Sequence, residues 1–154
     1  MKIIVLPKER MRALVEEAGV KPDDFYVTVK SPVETEYAVE ADAGNVLKLA
    51  FDDAEVEVDG EELTLFDEDM AFQVCEFFAK MQEERKPDSI LYVNCGAGIS
   101  RSGAIGEAAN ILFNRILEDC TGDYYEFYFT NHTIQPNLLV KSTLMRAIDE
   151  MANA

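Results

Sequence analysis

Hydrophobic and polar positions along the chain alternate between short apolar runs and longer periodic blocks. Lys2–Leu6 (KIIVL) is a continuous apolar run of strand length, and Pro7 then opens a helix through KERMRALVEEAG, with Gly19 near its end. Asp24–Ser31 (DFYVTVKS) alternates and is rich in β-formers, which predicts a second strand. The stretch PVETEYAVEADAG reads as loop with some extended structure, and Asn45–Phe51 (NVLKLAF) as the next strand. An acidic segment with a turn at Asp59-Gly60 follows. Phe66, Met70, Phe72, Val74, Phe77, Phe78 and Met81 then give a broad apolar face to a helix from about Leu65 to Glu84, with Thr64 and Asp67 as a capping pair. SILYVN is unbroken and apolar, as expected of a central parallel strand. A helix to about Glu118, a partly extended connection at Asp123–Phe129 and a final helix started by Pro136 complete the chain.

Alternating strands and helices imply an α/β fold: a central, mostly parallel sheet flanked by helices. The 154 residues, 48% hydrophobic, suit a single domain over 1–154 with a real core. No apolar run reaches the roughly 20 residues of a membrane span, and the N-terminus lacks the features of a secretory signal, so a cytoplasmic protein is expected. The formal charge of −16, from 14 Lys+Arg against 30 Asp+Glu, argues against nucleic-acid and membrane partners. Three cysteines without close pairs, and His132 as the single histidine, leave no basis for a disulfide scaffold or a zinc site. Cys75 falls on the apolar face of its helix, Cys120 at the end of another, and His132 reads as a surface or packing residue.

One segment concentrates chemistry. Asn94–Gly103 reads NCGAGISRSG, between the SILYV run and a helix. Strand, glycine loop and helix N-terminus make an anion site from inward-pointing amides and the helix dipole. Gly96 and Gly98 let the backbone curl closely, and the Arg101 fork matches two phosphate oxygens. The same field stabilises a thiolate at Cys95.

The octet CGAGISRS resembles the signature of the cysteine-dependent protein tyrosine phosphatase superfamily, closest to its dual-specificity branch. The resemblance extends roughly from Val46 to the last helix. It implies that Cys95 is the nucleophile, that Arg101 clamps the phosphate, and that Ser102 donates a hydrogen bond to the cysteine sulfur. Gly96, Ala97, Gly98, Ile99, Ser100 and Arg101 would form the phosphate-binding loop between a central strand and a helix. An aspartate after an upstream strand supplies the proton in this family. Leu49, Phe51 and Asp53 fit the family's spacing, which selects Asp53 as general acid with Asp52 as runner-up. Asp59, Asp67 and Asp69 stay open because the interval to Cys95 is long. HTIQPNLLV resembles the family's I-x-P-N segment, with Pro136 at a helix start and Asn137 beside it. The run Tyr124, Tyr125, Phe127, Tyr128 and Phe129 would border a substrate surface or, by preference, pack in the core. One departure stands out: the family has His immediately before the cysteine, and this chain has Asn94.

The resemblance implies a metal-independent, cofactor-free hydrolase acting on phosphotyrosine, and on phosphoserine or phosphothreonine, in phosphorylated proteins or peptides. Asn94 motivates an alternative, a weak or inactive pseudophosphatase that recognises a phosphorylated partner. A phosphoinositide or RNA-end phosphatase is less well supported, because Gly96, Ala97 and Ile99 add no cation to the loop.

Overall fold

The computed structural model describes residues 1–153. A four-stranded sheet in the order β1-β4-β2-β3 forms its centre. The strands are β1 (Lys2–Pro7), β2 (Phe25–Lys30), β3 (Val46–Ala50) and β4 (Ile90–Cys95). Every pairing is parallel, β1 and β2 both on β4, and β3 on β2. The N-terminal strands, outside the span of the sequence resemblance, are therefore an edge strand and an inner strand of the central sheet.

Side-chain alternation along the strands builds two cores. Ile3, Phe25, Val27, Val29, Leu49, Leu91, Val93 and Cys95 face the larger one. It is closed by α2 (Glu68–Glu84), α3 (Arg101–Ile111), α4 (Gly122–Thr130) and α5 (Leu138–Ala152). Leu6, Tyr26 and Tyr92 face the other way, against Met11 of α1 (Lys8–Ala18) and Val39 of the loop between β2 and β3. That loop joins two neighbouring parallel strands with no helix, and Ala38 and Val39 supply the packing a helix would give. No described helix is long and apolar enough to cross a membrane.

The helix following the motif is buried on all sides from Arg101 to Asn110, the expected environment for a helix without a polar face. It continues into a wider π-turn over Leu112–Ile116, where Leu117 N–H reaches back to the Leu112 carbonyl at 2.9 Å. The extra residue lets Phe113 and Asn114 both point inward. Phe113 meets Phe78 edge-on, and Asn114 donates to Asn110 Oδ1 at 2.8 Å.

Three local expectations are corrected. Asp123–Phe129 is not extended but lies inside α4, where one helical face buries Phe127. Its other aromatics therefore stay outside the core: Tyr125, Tyr128 and Phe129 are exposed. Cys120 lies beyond the motif's helix, exposed, in a turn at φ +42°. Finally, α2 starts three residues later than the apolar pattern suggests, and Thr64 takes no part in its cap. Asp67 caps it alone, accepting from Met70 N–H at 2.9 Å, while the Thr64 backbone pairs with Asp52.

Asp67→Ala is therefore expected to lower stability by about 1 kcal/mol, whereas Thr64→Ala stays within about 0.5 kcal/mol of the parent; urea unfolding midpoints distinguish the two.

Candidate functional site

Because all four strands run the same way, their carboxyl ends share one edge, where ligands bind in open α/β sheets. Each strand end contributes to one cleft. Cys95 closes β4, and the loop from Gly96 to Ser100 carries the chain into α3. At the end of β1, Lys8 gives its backbone N–H to the Gly96 carbonyl at 3.1 Å. This is one of the free N–H groups at the start of α1, used to hold the loop. Gly98 has φ +72° and lies so close to β1 that a Cβ there would come within 2.4 Å of Pro7 N and 2.5 Å of the Leu6 carbonyl carbon. Conformation and backbone contact both require glycine at that position.

The other side of the loop is held by the I-x-P-N segment. Gln135 and Asn137 donate their backbone N–H groups to the Ile99 and Ser100 carbonyls, each at 3.0 Å. The last helix starts two residues later than expected, at Leu138 with Asn137 as its N-cap, so Pro136 precedes the cap and its segment fixes the loop.

Arg101 comes from the first turn of α3 and is buried at 7% exposure. Its Nη1 donates to the Ser31 hydroxyl at 3.0 Å and to the Phe51 carbonyl at 2.9 Å, at the ends of β2 and β3. Its Nε has no partner among the described residues. Nη2 lies beside Gly96, 3.6 Å from where a Cβ would be.

Cys95 Sγ lies 3.0 Å from Ser102 Oγ, and Ser102 is fully buried. Burial pushes the Cys95 thiol up. The Ser102 hydroxyl and the backbone N–H groups of Ser102, Ile99 and Gly98 outweigh that effect, so the thiol lies below its ordinary pKa. Once ionised, the sulfur has no proton to give, so Ser102 donates to it.

Asp53 lies across the cleft. Its Oδ1 accepts from Ser100 Oγ at 2.8 Å and from Asn137 Nδ2 at 3.0 Å. Asn137 is almost completely buried, and its own Oδ1 caps α5 through Val140 N–H at 3.1 Å. The runner-up, Asp52, turns away and accepts from Thr64 N–H at 2.8 Å. Together with the backbone bond from Asp52 to Thr64, this closes an acidic loop over residues 53–63, which accounts for the long interval before Cys95. Asp67 is occupied as a helix cap, Asp69 lines a separate depression beside Arg146, and Asp59 is exposed in the acidic loop.

Cys95, Arg101, Asp53, Ala97, Ile99 and Ser100 thus line one open cleft of about 690 Å³, together with Glu55, Gln135, Pro136 and Leu138. Gly96 and Gly98 complete the loop beneath it. Cys75 is buried in the main core, and His132 is exposed. Sequence reasoning did not find Ser31, the Phe51 carbonyl or Glu55, and it located Asn137 without its bond to Asp53. The available signal for Ser31 and Phe51 was their position at the carboxyl ends of predicted parallel strands.

Asn94 lies on the face of β4 opposite the thiol, fully buried, and its Nδ2 donates to the Cys95 carbonyl at 3.3 Å. Its Oδ1 and the Thr28 hydroxyl, one strand away in register, have no partner among the described residues.

No family model matches the chain, and no curated protein does. Solved structures do. The human tyrosine phosphatase-like serine/threonine/tyrosine-interacting protein matches with a TM-score of 0.54 at 17% identity, covering 92% of this chain and 84% of that one. Human DUSP28 matches with a TM-score of 0.55 at 14% identity, over 98% and 94% of the two chains. The PTP-2 phosphatase of Cydia pomonella matches at 0.56 and 15%, over 94% and 84%. The chain has the fold of the cysteine-based tyrosine and dual-specificity phosphatases, and the likeness includes its N-terminal strands.

Ser102→Ala is expected to raise the Cys95 pKa: the pH at which iodoacetamide alkylation of Cys95 reaches half its maximal rate moves up toward the ordinary thiol value of about 8.5.

Proposed function

We propose that the protein is a metal-independent phosphatase that hydrolyses phosphotyrosine in phosphorylated proteins or peptides, with phosphoserine and phosphothreonine as poorer substrates. The reading is carried by one observation: a cysteine of lowered pKa, 3.0 Å from the Ser102 hydroxyl, shares a cleft with a buried arginine and an aspartate held by two side chains.

In this reading the phosphoryl oxygens take the loop amides and the unengaged edge of Arg101, which are in place before the reaction and do not reorganise during it. The Cys95 thiolate attacks phosphorus as the P–O ester bond breaks. Asp53 gives its proton to the departing oxygen, leaving a phosphocysteine and a free tyrosine hydroxyl. Water then attacks phosphorus, Asp53 takes up its proton, and the P–S bond breaks to release phosphate. The Ser102 hydroxyl stabilises the thiolate as it leaves. Support for an aryl substrate comes from the apolar wall of Ala97, Ile99, Pro136 and Leu138, with Leu138 at 65% exposure available to cover a ring.

Purified protein is expected to hydrolyse a small aryl phosphate, and Cys95→Ser to reduce the rate to that of buffer; equal rates in the two proteins would reject the mechanism. Asp53→Asn should lower kcat by about 10²–10⁴. Asp52→Asn should not.

Asn137→Asp keeps an oxygen for the α5 cap but replaces the amide donor to Asp53 with a like charge. A fall in kcat of at least about tenfold is expected, read well below the unfolding midpoint, which should itself drop because a second carboxylate is buried beside Asp53.

A further inference from the structure

The charges around the cleft suggest a rule for what surrounds the phosphate. Only Asp53, Glu55 and Arg101 among the lining side chains are charged, and a bound phosphate engages Arg101. Glu55 is fixed on the lip, where its Oε1 accepts the free Leu138 N–H at the start of α5, at 3.0 Å. It begins the run of carboxylates Glu55, Glu57, Asp59, Glu61 and Glu62, and residues 53–63 contain no lysine or arginine. The Asp52–Thr64 pairing closes this loop at its base and keeps it beside the cleft.

Among the described residues, the lysines at the ends of β1 and β2 are already engaged. Lys8, next to the loop, pairs with Glu34 at 2.8 Å. Lys30, at the end of β2, donates to the Glu34 carbonyl at 2.8 Å and lies 4.8 Å above the Tyr37 ring. A second phosphate on the substrate would therefore meet carboxylates and no available partner. A lysine or arginine flanking the phosphorylated residue would meet a fixed Glu55 and the loop behind it.

Resting on the phosphatase reading, we propose that the substrate is a singly phosphorylated tyrosine segment with lysine or arginine close to the phosphotyrosine, and that Glu55 is a specificity-determining residue that reads this charge. Complementary charge around a site favours encounter and discriminates among partners, and at an exposed lip it is sensitive to salt.

The test uses phosphotyrosyl peptides of one backbone with lysine, glutamine, glutamate or a second phosphotyrosine beside the first. Affinity is measured by fluorescence anisotropy on full-length Cys95→Ser, so the ranking is read without turnover, and kcat/KM is measured on the parent protein. Lysine-flanked peptide should exceed glutamate-flanked peptide by at least about fivefold at low salt, with the doubly phosphorylated peptide weakest, and the spread should shrink at high salt. Glu55→Gln keeps an acceptor for Leu138 N–H and removes the charge, so the lysine-over-glutamine ratio should fall by about threefold. Equal affinities across the series, or a ratio unmoved by Glu55→Gln, would overturn the proposal. A parent protein that fails to hydrolyse aryl phosphate would instead overturn the phosphatase reading, while the Cys95→Ser affinities would still decide the charge rule.

Discussion

A buried guanidinium without a counter-ion is the constraint around which this molecule is arranged. Arg101 is desolvated, and among the described residues no carboxylate forms an ion pair with it. Burying an unpaired charge costs several kcal/mol. Ser31 and the Phe51 carbonyl orient the group, but neutral oxygens do not cancel its charge. An acidic protein could have neutralised it easily. Instead Glu34, a carboxylate that feels Arg101, is directed elsewhere: its hydrogen bond with Lys8, then the Ser31 N–H, hold it below its ordinary pKa, with Arg101 adding only a smaller part. In the proposed reaction that charge is available to the phosphoryl oxygens.

Keeping the charge in place requires all four strand ends. β2 and β3 supply the two oxygens on Arg101, β4 supplies Cys95, and β1 supplies the backbone against which Gly98 lies. The loop is then clamped from both sides, by Lys8 N–H on one flank and by Gln135 and Asn137 N–H on the other. Amides held this way need little rearrangement as charge develops on an oxyanion, and the benefit of such preorganisation is large where water is excluded. The strand order β1-β4-β2-β3 places the loop strand second, with contributors on both sides.

What could be read from the sequence follows from how local each feature is. The loop was legible because a strand, two glycines, an arginine and two serines fall within ten residues, and Cys95, Ser102 and Arg101 lie together as that spacing implied. The place of Asp53 beside the cleft was legible from its position after β3, whereas Asp52 faces Thr64. The missing parts are long-range. Nothing local marks Ser31 as a partner of Arg101, 70 positions away, or Asn137 as a partner of Asp53, 84 away. Composition misdirected the reading at α4, where a run of aromatics looked strand-like or core-forming. One helical face needs only Phe127 inside, so the rest remain outside.

Asn94, the departure from the family pattern, bears on whether the site supports chemistry or only binding. Strand alternation sets residues 94 and 95 on opposite faces, so the Asn94 side chain reaches the nucleophile only through the Cys95 carbonyl, by a long bond of 3.3 Å. The groups that lower the thiol lie on the other side: the Ser102 hydroxyl and the amides of Ser102, Ile99 and Gly98. The Asn94 amide therefore makes one long bond at the base of the loop and takes no part in the charge stabilisation at sulfur. The Asn94 and Thr28 oxygens, without partners among the described residues, lie in the packing beneath the sheet, not in the cleft. In the proposed reaction Asp53, held at a single oxygen by Ser100 and Asn137, serves as the acid, a role that phosphate binding alone does not need.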